Sequence, residues 1–359
     1  MTLFVITTCL TNTVNAQVTC NATGTWSGTA GWIPAAPLAG ENVTVAVGCT
    51  LFVDINTVDI NNLTINGTLI IMNSATGVLN MTGNLIVNSG AVLINNGRLS
   101  FQTIGNSFNL NGTATYTHNP FANSISDEEL FVNSNEVFST TSNLNILKWY
   151  NGNVPLAGPT RVQTSIFGNV TLNASVPGGV WDQDGFFSVP TINRIRGSFT
   201  VSAGTVVMDD GTGSTTSLIL QDVTVNSTGN IVFQRGYNRN YSLQVNNFSV
   251  YSVAPALPTV VLDTSFGVLN MTINGSMNIA HDFNVVYGHN FQSGADIRVI
   301  VNGNLNITGG EVIFNRKASA PLQLTVNGIT TLNNSSPGGV VCFVEGASGY
   351  LTMNTQDLV

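Results

Sequence analysis

The sequence predicts an all-β protein that winds as a parallel β-helix (β-solenoid) with coils of about 25–29 residues and an N-terminal cap. One observation is a repeated phrase in which apolar and polar residues alternate around an Asn-Gly turn: LTINGTL at 63–69, MTINGSM at 271–277, VIVNGNL at 299–305 and LTVNGIT at 324–330. The other is spacing. Anchors on this turn recur once per predicted coil, at Gly168, Gly197, Asp222, Asn247, Gly275, Gly303 and Gly328.

Each phrase is predicted to be a strand, because successive side chains of a strand point to opposite sides. Met271, Ile273 and Met277 are expected inside, with the intervening Asn and Thr residues outside. A unit of this length is too short for a propeller blade of about 40 to 45 residues but suits a coil of two or three short strands. Asn and Gly are expected at the corners because they tolerate the left-handed conformation. A β-sandwich of similar hairpins is the alternative.

The chain divides into a signal peptide or donated strand at 1–16, a cap at 17–60 and the β-helix at 61–359. In the N-terminal third the glycines recur at little more than half of the later spacing, at Gly67, Gly83, Gly97 and Gly112. Either two corners of each coil carry glycine there, or the coils are smaller. Alternation lapses at about 118–142, which we interpret as an excursion from the coil. The segment SDEE at 126–129 has the form of a helix-capping box, and a plain loop is the alternative.

The first residues resemble an export signal. An apolar stretch from Leu3 to Leu10 precedes VNA at 14–16, which has the small-residue form of a signal-peptidase site, although no basic residue opens it. Cleavage after Ala16 and secretion are therefore predicted. The alternative is a strand that, if retained, could be donated to a neighbouring subunit. No later segment approaches the roughly 20 apolar residues that span a bilayer.

The four cysteines fit an oxidising compartment. Cys9 would leave with the signal peptide. Cys20 and Cys49 flank the predicted cap, so we predict a disulfide between them, with two buried free thiols as the alternative. Cys342 is left over in the apolar run GVVCFV at 339–344 and is expected to be a buried small residue, with a bond to another chain as the alternative.

Composition excludes several classes of function. Only 8% of the residues are charged and 43% are hydrophobic, so the polar surface must consist of Asn, Ser, Thr and Gln. A net charge of -8, with Lys148 and Lys317 as the only lysines, argues against nucleic acid binding. The sequence contains no zinc-type His/Cys spacing, no phosphate-binding Gly-Lys-Ser/Thr loop and no nucleophile elbow, and it predicts no metal site and no cofactor.

The chain is rich in Asn-x-Ser/Thr sequons, the acceptors of N-glycosylation. Composition alone predicts about nine, and strand geometry adds more because Asn and a hydroxyl two positions later share a face. In a host that glycosylates asparagine they would coat the sides of the stack; elsewhere they are surface Asn. The sixteen begin at Asn21, Asn42, Asn62, Asn66, Asn80, Asn111, Asn169, Asn173, Asn226, Asn240, Asn247, Asn270, Asn274, Asn306, Asn333 and Asn334.

The head of the chain resembles a known family. Its matching features are Trp26, Trp32, the segment GENVTV at 40–45, LFVD at 51–54 and LTINGTL at 63–69. Over residues 25–69 these resemble the eight-glycine domain of animal surface proteins and the openings of secreted bacterial repeat proteins. The resemblance implies an extracellular location and a cap built around the two tryptophans. Members of such families act as adhesins, receptors or polysaccharide-processing proteins, so it selects no function. From the residues themselves, the two tryptophans are either cap packing or a sugar platform.

One stripe of residues could carry chemistry. Its members lie at a similar offset past their corner anchors: Asp184, Asp210, Arg235, Asp263, His289 and Arg316. A β-helix enzyme that cuts polysaccharide would need carboxylates, or acidic residues around Ca²⁺ beside a basic residue, on adjacent coils. The same offset falls just after apolar strand ends, where any solenoid turns into solvent, so a plain polar turn face is the alternative.

Two functions follow as hypotheses. The first is a secreted structural or adhesive cell-surface protein without enzymatic activity. Its N-glycans would be covalent partners, and it would assemble through coil ends or a donated strand into an extracellular filament. The second is a polysaccharide lyase, glycosidase or lectin that binds carbohydrate along the stripe. The sequence predicts neither a nucleic acid partner nor a transmembrane span.

Overall fold

The computed structural model describes residues 17–28, 31–103, 105–121, 134–148, 167–173, 180–182, 191–192, 195–207, 216–232, 241–251, 259–263, 268–280, 283–286, 296–309, 312–313, 322–333, 341–342 and 351–359. Within these residues the chain is all-β and contains no helix. Its strands pair in parallel with equivalent strands of the preceding and following coils, so that Met271, for example, lies opposite Val299.

The strands are short and follow one another around each coil. In chain order they are β1 (Gln17–Cys20), β2 (Gly24–Thr25), β3 (Trp32–Ile33), β4 (Asn42–Val45), β5 (Thr50–Val53), β6 (Leu63–Ile65), β7 (Thr68–Ile71), β8 (Val78–Met81), β9 (Leu85–Val87), β10 (Val92–Asn95), β11 (Arg98–Phe101), β12 (Asn106–Leu110), β13 (Thr115–His118), β14 (Ser134–Phe138), β15 (Asn143–Ile146), β16 (Asn169–Asn173) and β17 (Val180–Asp182). The remainder are β18 (Thr191–Ile192), β19 (Phe199–Val207), β20 (Thr216–Leu220), β21 (Val223–Val232), β22 (Tyr241–Val245), β23 (Phe248–Val250), β24 (Thr259–Asp263), β25 (Val268–Ile273), β26 (Met277–Ile279), β27 (Phe283–Val286), β28 (Asp296–Val301), β29 (Leu305–Ile307), β30 (Val312–Ile313), β31 (Leu322–Leu332), β32 (Val341–Cys342) and β33 (Leu351–Leu358).

These pairings confirm the parallel β-helix and exclude the hairpin sandwich for the described residues. One sheet, which we call the long face, runs through β5, β7, β10, β13, β15, β16, β19, β21, β23, β26, β29 and β31. The only antiparallel pair among the described strands joins β1 to β3 at the head. Because each coil pairs its backbone with the next, the apolar linings of successive coils merge into one core.

Alternation decides which side chains enter that core. Met271, Ile273 and Met277 are fully buried, as predicted, whereas Asn270 and Asn274 are exposed. Strands of this kind contribute two or three apolar side chains to the interior, and burial of each contributes roughly 1.5–3 kcal/mol. The lining that a single coil could not shield is thereby covered by the coils on either side of it.

The corner glycines have a different physical reason from the one that the sequence suggested. Gly303 does not adopt the left-handed conformation. A β-carbon there would lie 2.6 Å from the carbonyl oxygen of Gly275 in the preceding coil, well inside van der Waals contact. Glycine is therefore needed at this corner because two backbones stack directly on each other. The left-handed explanation does hold at other turns, such as Gly90 with φ 78°.

Both explanations of the dense N-terminal glycines are correct. The coils there are smaller, because one full coil takes the chain from Leu63 only to Leu85, whereas a later coil takes it from Met271 to Val299. More than one corner per coil also carries glycine: Gly67 packs against the backbone of Ala46 and Cys49, and Gly83 packs against that of Asn61. Strands β1, β4 and β5, within the segment predicted as a cap, already pair in parallel with their neighbours.

The predicted excursion at 118–142 lies only partly within the described residues, because 122–133 are outside them. The strand Ser134–Phe138 belongs to the stack and pairs in parallel with Asn106–Leu110. Alternation continues there, but the inward residues include Ser134 and Glu136, so the apolar signal is interrupted while the strand is not. The capping-box segment at 126–129 lies outside the described residues, as does the predicted signal segment at 1–16.

Candidate functional site

The predicted catalytic stripe cannot be assembled from the described residues. Five of its six members lie outside them: Asp184, Asp210, Arg235, His289 and Arg316. Asp263 ends β24, where its backbone pairs with Val286, but its side chain is outside the described part. The stripe therefore stays a sequence prediction. Across the described ranges, no group of three or more His, Cys, Asp or Glu residues is placed to hold a metal ion.

A group of polar side chains lies inside the stack, where the alternating pattern predicted only apolar ones. On one side Asn95 and His118 both approach the Tyr116 hydroxyl, with Asn95 Nδ2 at 3.4 Å and His118 Nδ1 at 2.9 Å. On the neighbouring face the hydroxyl of Ser134 donates to the Glu136 carboxylate. All five side chains are buried.

Burial controls the ionisation of this internal cluster. Loss of solvation lowers the pKa of His118 to about 3, so the imidazole is neutral at physiological pH. Burial also raises the pKa of Tyr116, and the charge of Glu136 raises it further, while the hydrogen bond from Asn95 acts in the opposite direction. Because the cluster is sealed inside the core, no external substrate reaches it. We assign it a structural role, which the sequence did not indicate because Ser134 and Glu136 interrupt the apolar pattern.

The head of the stack is closed by a disulfide and two aromatic rings. Cys20 and Cys49 are joined, with their Cα atoms 6.5 Å apart. Trp26 and Trp32 are buried and meet edge to face, with ring centroids 5.1 Å apart. Since both rings are covered by the protein, they serve as cap packing and leave no open aromatic platform for a sugar.

One carboxylate at the head is also held in place by hydrogen bonds. Asp54 accepts hydrogen bonds from the backbone N–H of Ser27, at 3.0 Å, and from its hydroxyl. Partial burial acts to raise the pKa of Asp54, but these hydrogen bonds outweigh it and hold the pKa below its ordinary value. The pair links the end of β5 to the turn after β2, which is again a structural use of a charged group.

The outer surface carries ladders of amide side chains that step from coil to coil. Asn62 donates from Nδ2 to Oδ1 of Asn42 at 2.9 Å, and its own Oδ1 accepts the backbone N–H of Asn84 at 2.9 Å. Farther along, Asn247 donates to Asp222 at 2.8 Å and accepts the backbone N–H of Ser276 at 3.0 Å. These ladders satisfy the corners of adjacent coils, and they use asparagines that the sequence predicts as glycosylation sites.

The sequons consequently fall into different environments. Asn240 and Asn334 lie outside the described residues. Several others donate from the side-chain nitrogen to a neighbouring coil: Asn62, Asn80, Asn111, Asn169, Asn247 and Asn306. Half-buried sequons with no such donation within the described part are Asn42, Asn66 and Asn226. Exposed sequons whose nitrogen makes no hydrogen bond to any described residue are Asn21, Asn173, Asn270, Asn274 and Asn333.

The long face carries one row of side chains on the side away from the core, which we call the outward column; its members are half-buried, except for Ser249, which is buried. Each member lies directly opposite the next in parallel register, and none is charged. In order they are Phe52, Ile70, Ile94, Thr117, Asn145, Thr171, Thr200, Thr224, Ser249, Asn278, Asn306 and Thr331. The column is apolar near the head and then consists of hydroxyl and amide groups. It offers an uncharged, regularly spaced surface along the stack, interrupted at the buried Ser249.

Comparison with known proteins adds a family likeness for the head. Residues 25–134 match the model of the G8 domain, which is under a third of the chain. Searches of curated proteins and of solved structures each found no match. Among the described residues there is also no helix of the length and hydrophobicity needed to cross a membrane. The G8 domain is typical of extracellular proteins, so the matched head and the β-solenoid together fit an extracellular repeat-like protein.

Proposed function

We propose that this chain is a secreted structural or adhesive protein of the cell surface, that it is not an enzyme, and that its copies associate into larger assemblies. The observation that carries the proposal is the outward column. A row of uncharged side chains that repeats once per coil lets two stacks approach without like-charge repulsion, and its hydroxyl and amide groups can exchange hydrogen bonds. The low overall charge supports the same interpretation.

The other polar groups support a structural use. In the described part of the chain, Glu136 and His118 are enclosed in the core and Asp54 is held by Ser27. The amides of the corners are engaged between coils. The extracellular likeness of the head supports a surface location. Association through coil ends or a donated strand, as the sequence suggested, remains part of the proposal.

Electron microscopy of the purified protein over a range of concentrations tests this function. We expect assemblies that grow with concentration: bundles if the long faces meet, and single-width filaments if coil ends meet. Dispersed monomers at high concentration would count against the proposal.

Charge variants on the outward column test the lateral contact. Thr200→Lys combined with Thr224→Lys places two cations on adjacent coils of the column and should dissolve bundles. The control is Gln244→Lys with Gln323→Lys, because both glutamines are exposed and lie outside the outward column: Gln244 on β22, and Gln323 on the first part of β31, which pairs with β28. Equal bundling by both double variants would show that the column is not the contact. A blank glycan array and a blank polysaccharide cleavage assay are also expected.

A further inference from the structure

The amide ladders compete with glycosylation for the same nitrogen atoms. Attachment of an N-glycan forms a bond from Asn Nδ2 to C1 of the first sugar, using an oligosaccharide pyrophosphate as donor. The pyrophosphate leaves and Nδ2 gives up one proton. A glycosylated asparagine therefore keeps one N–H where it had two, and it gains a bulky substituent that must reach solvent.

Asn80 shows the conflict most clearly. Its Nδ2 donates to Oδ1 of Asn56 and to the carbonyl oxygen of Thr57, both at 2.7 Å. Both amide hydrogens are thus used within the fold, and the Asn80 Oδ1 also accepts from Gln102 at 3.3 Å. A glycan on this nitrogen must break one of the two donated bonds and leave an acceptor of the preceding coil without its partner.

The ladder sequons Asn62, Asn169 and Asn247 are held on both sides. Each donates from Nδ2 to the preceding coil, and each accepts a backbone N–H of the following coil through Oδ1. The side chain is half-buried between two coils that lie about 4.8 Å apart. Rotation of the amide to turn a sugar outward would break bonds to both neighbours at once.

The exposed sequons have the opposite environment. Asn270 projects from the middle of β25, and Asn274 lies at the turn that follows it. Neither nitrogen donates to any described residue, although Oδ1 of Asn274 accepts from Gln244 at 3.4 Å. A glycan at either position removes no hydrogen bond donated within the described fold, and its first sugar faces solvent.

We propose that N-glycans occupy the exposed sequons Asn21, Asn173, Asn270, Asn274 and Asn333 and are excluded from the folded protein at the ladder sequons Asn62, Asn80, Asn169 and Asn247. The inference rests on the secreted location in the proposed function. Asn306, the sequon within the outward column, is half-buried and donates a single bond from Nδ2 to Asn278 at 2.9 Å. The glycan at Asn270 then lies on the face formed by β22, β25 and β28, whereas the glycan at Asn173 lies on the long face itself, two residues after Thr171 on β16.

Site mapping of the full chain secreted from a eukaryotic cell line tests the inference. Folded protein is isolated, its glycans are released enzymatically in heavy-oxygen water to mark occupied asparagines, and peptides are quantified by mass spectrometry. We expect occupancy at Asn80 to be roughly tenfold lower than at Asn270 in the folded protein, because the loss of one hydrogen bond that holds this half-buried amide costs about that factor. Equal occupancy at the two sites, or bare asparagine at all five exposed sequons, would overturn the inference.

Two matched substitutions separate modification from folding. Asn270→Gln should remove one glycan and leave the thermal midpoint unchanged. Asn80→Gln should leave the glycan mass unchanged and lower the midpoint, because the longer side chain misplaces two ladder bonds. A loss of glycan mass in Asn80→Gln would contradict the assignment. Assembly is scored separately by electron microscopy, so the predicted glycan pattern without assembly would refute the proposed function alone.

Discussion

Replacement of a corner glycine tests the stacking of coils quantitatively. In Gly303→Ala the new β-carbon would lie 2.6 Å from the carbonyl oxygen of Gly275 and 2.8 Å from its carbonyl carbon. Ordinary contact begins at 3.4 Å, so the two backbones must separate by several tenths of an ångström. The hydrogen bond from the Gly303 N–H to that same oxygen, now 2.8 Å, would be stretched toward its limit.

The expected cost follows from these contacts. Overpacking against backbone costs about 1–3 kcal/mol, and one strained buried hydrogen bond adds about 1–3 kcal/mol. Replacing glycine by alanine also lowers the conformational entropy of the unfolded chain, which stabilises the folded protein by about 0.4–1 kcal/mol. We therefore expect Gly303→Ala to lower the free energy of unfolding by about 1–6 kcal/mol, measured by urea denaturation followed by far-UV circular dichroism.

Gly90→Ala is the matched control. Gly90 has a left-handed φ of 78°, and a β-carbon there would meet no atom within 4 Å. Its substitution should cost only the left-handed strain of about 1–2 kcal/mol, less the same entropic gain. Gly303→Ala should therefore lower the free energy of unfolding more than Gly90→Ala does. The reverse order would show that corner glycines serve local conformation instead of close stacking.

Three further predictions concern the core and the head. Phe108→Ala should lower the free energy of unfolding by about 3–5 kcal/mol, because the buried ring packs against Tyr116 and Phe138, with ring centroids 5.1 Å away in both cases. A loss below about 1 kcal/mol in urea denaturation would contradict this packing. His118 should make the fold sensitive to acid, because its pKa is about 3 in the folded protein and 6.5 in the unfolded chain. Between these values the unfolded chain binds a proton that the folded protein does not. The free energy of unfolding should therefore fall as the pH drops from 6.5 toward 3, by up to about 1.4 kcal/mol per pH unit. Denaturation at pH 7 and pH 5 checks this, and the same pH dependence in His118→Gln would rule out the histidine as its source. The double variant Cys20→Ala, Cys49→Ala should lose about 3–4 kcal/mol, because the bond closes a loop with a sequence separation of 29 residues, whereas an unchanged urea midpoint would contradict that contribution.

The parts of the fold that depend on alternation could be predicted from the sequence. Met271, Ile273 and Met277 lie in the core because alternate side chains of a strand point to the same face. The repeat interval determines which residues of successive coils pair. The packing of the two tryptophans of the head was implied by the resemblance and did not follow from alternation.

Other features could not be predicted because they depend on contacts between coils. Glu136 and Ser134 interrupt the apolar pattern, and only the pairing of Ser134–Phe138 with Asn106–Leu110 identifies the strand. The role of Gly303 depends on the distance to Gly275, which no local rule contains. Likewise a sequon has the same form at Asn80 and Asn270, and only the neighbouring coil distinguishes an engaged amide from an exposed one.

Successive coils stack at a constant rise, and spin-label distances along the outward column measure that rise. With cysteine labels at Thr224 and Thr331, four coil steps apart, pulsed electron paramagnetic resonance should give a distance of about 19 Å, from about 4.8 Å per coil. Labels at Thr117 and Thr331, eight steps apart, should give about 38 Å. Doubling of the distance is the predicted result. Similar distances for the two pairs would show that these residues do not form one column, and the stacked-coil account would fail.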